Sequence, residues 1–122
     1  MTTCMIFYPS HYALNEAEQV LRAAGLNVQD IQNSLLVSYP DAPLFTVLIN
    51  SEAHVAIEAA EIGRGTPYAE AMAHCHSRFE IHFEDLDAAL DEINTLMTIQ
   101  SELQDLTHGY LFLPWNGSLT EP

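Results

Sequence analysis

The chain contains no lysine and only three arginines among 122 residues, against 17 aspartates and glutamates, so its formal net charge is −14. That imbalance excludes the commonest electrostatic partners, because a surface of this sign repels the phosphates of nucleic acid and the headgroups of anionic membranes. Cysteine is nearly missing too. Cys4 and Cys75 are the only two, and neither belongs to a CxxC or a Cys/His spacing of the zinc-binding kind. Two buried, reduced thiols are expected rather than a disulfide framework. There is no apolar run of membrane-spanning length, and the opening MTTCMIFYPS lacks a basic leader and is broken by Pro9. The expectation is a cytoplasmic protein with no membrane contact and no lipid anchor.

What is present is a 48% hydrophobic composition without a low-complexity tract. At this length it suffices for one domain over residues 1–122 with a core that needs neither metal nor disulfide. TCMIFY, closed by Pro9 and Ser10, reads as a buried first strand. Ala13, Ala17, Val20, Leu21 and Ala24 recur at helical spacing ahead of Gly25, which predicts a helix over 12–24. SLLVSY and LFTVLIN flank the turn sequence PDAP and predict a hairpin. Ser51 then caps a second helix ending near Gly63, and Thr66 followed by Pro67 starts a third over TPYAEAMAHCHS. Phe79, Ile81 and Phe83 alternate with Glu80, His82 and Glu84, so 79–83 is expected to be a strand. Asp85 caps the longest helix, with Leu86, Leu90, Ile93, Leu96, Met97, Leu103 and Leu106 as its apolar stripe and Gly109 as its stop. YLFLPW gives a last strand, and Asn116 with Gly117 a tight turn before a polar tail. The order β-α-β-β-α-(α)-β-α-β predicts an α+β fold. Its sheet is mostly antiparallel, of about five strands with helices on one face, and has a ferredoxin-like βαββαβ core extended by a C-terminal helix and strand.

The segment MAHCHSRFEIHFEDLD concentrates the residues that chemistry would use. His74 and His76 diverge if they lie on a helix, since two residues rotate the direction by roughly 200°. His82 shares a strand face with Glu80 and Glu84, and that trio is the one metal-binding alternative, short of any usual zinc spacing. Cys75 precedes His76, but consecutive helical residues do not face each other, so they form no nucleophile pair. Ser10 and His11 lack a GxSxG elbow, and GRGTPY lacks the lysine of a phosphate loop. No cofactor is expected, and an enzyme or metal domain built on His74, His76 and His82 is the second reading.

The strongest remaining signal is distributed along the long helix. Asp87, Asp91, Glu102 and Asp105 form a carboxylate row about five turns long with no cation within one turn. Salt adaptation also produces acidic, lysine-poor surfaces, so the row permits a function without demanding one. Such a row suits a basic protein partner, by imitating nucleic-acid phosphates or covering a cationic active site. The expected function is therefore that of a small, non-enzymatic inhibitor of the immunity type. It would neutralise a basic toxin or nucleic-acid-acting enzyme through Glu84, Asp87, Asp91, Glu102 and Asp105, with Trp115 as an aromatic anchor or a core cap. A module that forms homo-oligomers through its sheet edge or long helix is the third reading.

Overall fold

A computed structural model describes residues 2–122. Its strands are β1 (Thr2–Tyr8), β2 (Asn27–Asp30), β3 (Leu35–Ser38), β4 (Phe45–Asn50), β5 (Ser77–Phe83), β6 (Tyr110–Leu113) and β7 (Ser118–Thr120). Its helices are α1 (Leu14–Ala23), α2 (Ala53–Gly63), α3 (Ala69–Ala73), α4 (Leu86–Asp91) and α5 (Ile93–Thr107). The strands form one sheet in the order β2-β3-β4-β5-β1-β6-β7, and every pairing is antiparallel. β1 and β5 lie together along their full length, from Thr2 opposite Phe83 to Tyr8 opposite Ser77.

Alternation along these central strands decides what each face meets. Cys4, Ile6 and Tyr8 of β1, Phe79, Ile81 and Phe83 of β5, and Phe45 and Val47 of β4 point one way, onto Ala17 and Leu21 of α1 and Leu96, Ile99 and Leu103 of α5. On the reverse side Phe7 packs with Val55, Ala59, Met72 and Cys75, with Met5, Tyr110 and Phe112 around them. Burying this much apolar surface is the main favourable term in folding.

The α+β class and the antiparallel sheet are as the pattern predicts, but three details differ. The sheet has seven strands, not about five. β2 buries only Val28, so it carries too little alternation to be read, and it forms because Gly25 (φ +90°) turns the chain back beside β3. β7 comes from the supposed polar tail: Gly117 (φ +73°) makes the tight turn, the Asn116 side chain accepts the Ser118 N–H, and Leu119 comes to lie opposite Phe112. Helices cover both faces rather than one, since β1 and β6 are apolar on both sides and α2 with α3 must shield the second. Nor does a ferredoxin-like split βαβ core form, because in that plan the first strand lies between the two strands that the second helical connection joins, whereas β5 pairs directly with both β4 and β1. Here α2 and α3 return the chain to the antiparallel neighbour of β4.

Element boundaries shift for local reasons. Ser51 does not cap α2; its hydroxyl bonds Ser77 at 2.7 Å, and Asn50 accepts the Glu52 N–H instead. α3 is a short piece, and β5 begins at Ser77, two residues ahead of the expected 79–83. The long helix breaks at Glu92 (φ −111°, ψ 46°) into α4 and α5, while Asp85 caps α4 as expected by accepting the Asp87 N–H. After α5 the left-handed residue is His108 (φ 53°), not Gly109. Gly109 is needed for contact: a Cβ there would stand 2.7 Å from Ile6 Cγ2, from the Phe7 carbonyl oxygen and from Thr107 Oγ1. Among the described residues no helix is long and apolar enough to cross a membrane.

Two stability predictions follow from this packing. Gly109→Ala forces the β1 backbone away from β6 and should cost about 1–3 kcal/mol in urea unfolding. Tyr8 is buried with its hydroxyl unpartnered among the described residues, so Tyr8→Phe should raise stability by about 1 kcal/mol in the same measurement.

Candidate functional site

The reverse face of β5 carries the densest polar network. Period-two alternation sends Arg78, Glu80 and His82 to that side, and the register brings Asn50 of β4 opposite Arg78 and Thr3 of β1 opposite His82. Glu80 is buried, and its Oε2 accepts from Arg78 Nε at 2.7 Å and from Asn50 Nδ2 at 2.9 Å. Its Oε1 lies 2.9 Å from His82 Nε2, and His82 Nδ1 is 2.9 Å from the Thr3 hydroxyl. A carboxylate only accepts, so Nε2 carries a proton, and in the neutral ring Nδ1 accepts from Thr3. Arg78, also buried, donates through Nη1 to Glu58 of α2 at 2.7 Å and lies over the Phe7 ring, 5.5 Å from its centroid. Desolvation alone would push the Glu80 carboxyl up. The hydrogen bonds from Asn50, Arg78 and His82, with the nearby guanidinium charge, outweigh it and hold the group below the ordinary carboxylate value.

This network braces the sheet against α2 and leaves little free for chemistry. Both nitrogens of His82 are engaged. Glu84 lies beyond the end of β5, and no group of three His, Cys, Asp or Glu among the described residues is placed to hold a metal ion, so the His82, Glu80, Glu84 trio does not assemble. His74 is bonded to the Glu70 carbonyl beside Pro67, His108 and Tyr110, whereas His82 lines a different hollow; the histidines of the 74–82 segment do not converge. Both thiols are buried and unpaired with each other, and burial pushes each up to about 11, which keeps them protonated at neutral pH.

The carboxylate row is rearranged as well. The break at Glu92 divides it, leaving Asp87 and Asp91 on α4 and Glu102 and Asp105 on α5. The apolar stripe is only partly the expected one: α5 buries Thr95, Leu96, Ile99, Gln100, Leu103 and Thr107, while Leu90, Ile93 and Met97 stay 43%, 37% and 56% exposed instead of facing the core. Asn94, Met97, Thr98, Ser101 and Glu102 line one shallow groove of about 550 Å³ on this outer side. No lysine or arginine occurs after Arg78, and the ion pairs of the described residues all lie elsewhere, at Arg22, His54, Arg78 and His82. Trp115 is partly buried against the core, its ring 5.9 Å from that of Phe83.

The sequence pattern placed Glu80 and His82 on one strand face but left Arg78 at the end of the preceding helix, and it carried no sign of Thr3, Asn50 and Glu58, which arrive only through strand register and helix packing. The fold is thus an antiparallel α+β sheet with helices on both faces, and its two notable surfaces are a braced polar row and an acidic, partly apolar helix face. Compared with protein-family models, curated proteins and solved structures, the chain matches none.

Glu80→Ala strips the buried Arg78 of one of its two carboxylates and should cost about 3 kcal/mol in denaturant unfolding. Because folding lowers the Glu80 pKa, its contribution is full above the unfolded value near 4.5 and is lost as pH falls through the depressed folded value. Stability followed as pH is lowered through the carboxylate range should fall less steeply in Glu80→Gln than in the parent.

Proposed function

We propose that this chain is a non-enzymatic binding protein of the immunity type, which neutralises a basic protein partner, a toxin or nucleic-acid-acting enzyme, through the outer face of α4 and α5. The observation that carries this reading is the exposure of Leu90, Ile93 and Met97 among carboxylates that have no cation of their own. A solvated helix face needs no large apolar side chains, and exposed apolar groups set among charges suit an interaction surface.

Charge selects the occupant. Two copies of this face would set carboxylate against carboxylate, whereas a partner segment with basic and apolar residues one helical turn apart would meet both components. Asp87 and Asp91, at i and i+4, flank Leu90 on one side of the break; Glu102 and Asp105, at i and i+3, continue beyond Met97. Trp115, held against Phe83, contributes packing rather than a free anchor. Coverage of a cationic site by such a face would inhibit without catalysis.

A synthetic amphipathic helix of leucines and lysines is a suitable probe, with a leucine–glutamate helix as its control. In amide chemical-shift mapping the basic peptide should perturb α4 and α5, its affinity should weaken as salt is raised, and the double variant Asp87→Lys, Asp91→Lys should bind about tenfold more weakly. Met97→Ser should weaken it without altering the salt dependence. Equal binding of both peptides, or shifts confined to the sheet edges, would overturn the proposal.

A further inference from the structure

A second, separate surface feature lies where β5 runs into α4. Leu36, Ala42, Pro43, Leu44, Phe83 and Ala88 wall a hollow of about 520 Å³, within the range of small-molecule sites. β3, β4 and the proline-containing turn between them converge with the end of β5 and the first turn of α4 to build it. Leu36, Thr46 and His82 stand side by side across β3, β4 and β5 on the face turned away from the larger core, whereas the Phe83 ring points into that core against Phe45 and Trp115. His82, which also lines the hollow, is locked by Thr3 and Glu80, so it presents ring carbon rather than a free nitrogen.

The polar part of the lining has one sign. Glu84 and Asp85 stand at the rim, Thr46 supplies a hydroxyl, and no arginine or lysine is present. Asp85 spends Oδ1 on the Asp87 N–H, while Glu84 makes no side-chain hydrogen bond or ion pair among the described residues. Within a chain of net charge −14, an anionic ligand would be repelled from this position, and an apolar body bearing a cationic end would satisfy wall and rim together. We propose that this hollow binds a small free organic amine, an ammonium group on an aryl or alkyl stem, with the stem against Leu36, Pro43 and Leu44 and the ammonium between Glu84 and Asp85. The site is independent of the outer face of α4 and α5.

The experiment is a titration of the whole chain with 2-phenylethylamine, followed by amide chemical shifts. Phenylacetate and 2-phenylethanol serve as anionic and neutral counterparts. The amine should shift Leu36, Leu44, Thr46, Glu84 and Ala88, and bind more tightly than either counterpart. Glu84→Gln with Asp85→Asn, in which asparagine keeps the α4 cap, should weaken the amine about fivefold and leave 2-phenylethanol unchanged. Ala88→Leu, which fills the hollow, should abolish both. No shift at about 10 mM amine, the weak end of measurable affinity, equal binding of the alcohol or the acid, or shifts confined to the outer face of α4 and α5 would each overturn the proposal.

Discussion

The alternation along β5 is the constraint on which the rest of the molecule depends. Its odd positions, Phe79, Ile81 and Phe83, enter the larger core, and its even positions, Arg78, Glu80 and His82, face the other way. A slip of one residue would exchange the two sets, burying a guanidinium, a carboxylate and an imidazole under α1 and α5. The register with β1 and β4 is therefore held from both sides, by apolar packing on one face and by the Thr3, Asn50 and Glu58 partners on the other. Antiparallel pairing suits this arrangement, because each strand can meet a different environment on each face.

The polar row also shows why a cluster of histidines and carboxylates need not be a reactive site. Glu80 receives three donors and so stays ionised despite burial, and Arg78 is shared between two carboxylates. Arg78 Nε and Nη1, Asn50 Nδ2 and His82 Nε2 each meet a carboxylate oxygen, which is what a buried charge requires if it is not to destabilise the fold. The same matching consumes the capacity that catalysis or metal binding would need. Unmatched charge is found instead at Glu84 and along α4 and α5, where solvent supports it at little cost.

Helix geometry on either side of the kink at Glu92 sets the surface character. α5 turns Leu96, Ile99 and Leu103 to the core; at about 100° per residue Ile93 and Met97 lie roughly a quarter to a third of a turn away on the same helix and, like Leu90 of α4, remain in water. A face that was expected to be purely acidic thereby becomes mixed, and a mixed face is the better match for a protein than for a dispersed counter-ion cloud.

The sequence by itself determined the α+β class, the long central strands, the β3–β4 hairpin, the Asp85 cap and the acidity, because alternation, capping and charge are local properties that neighbouring residues express together. It could not disclose β2 or β7, whose few residues become strands only when an edge is offered to them. It could not place helices on both faces either, since that depends on how two apolar sides of β1 and β6 are shared among helices far away in the chain. The grouping of Thr3, Asn50 and Glu58 around Arg78, Glu80 and His82, the exposure of Leu90, Ile93 and Met97, and the hollow beside Phe83 were decided by tertiary structure alone. Each depends on distances between segments that no local periodicity encodes.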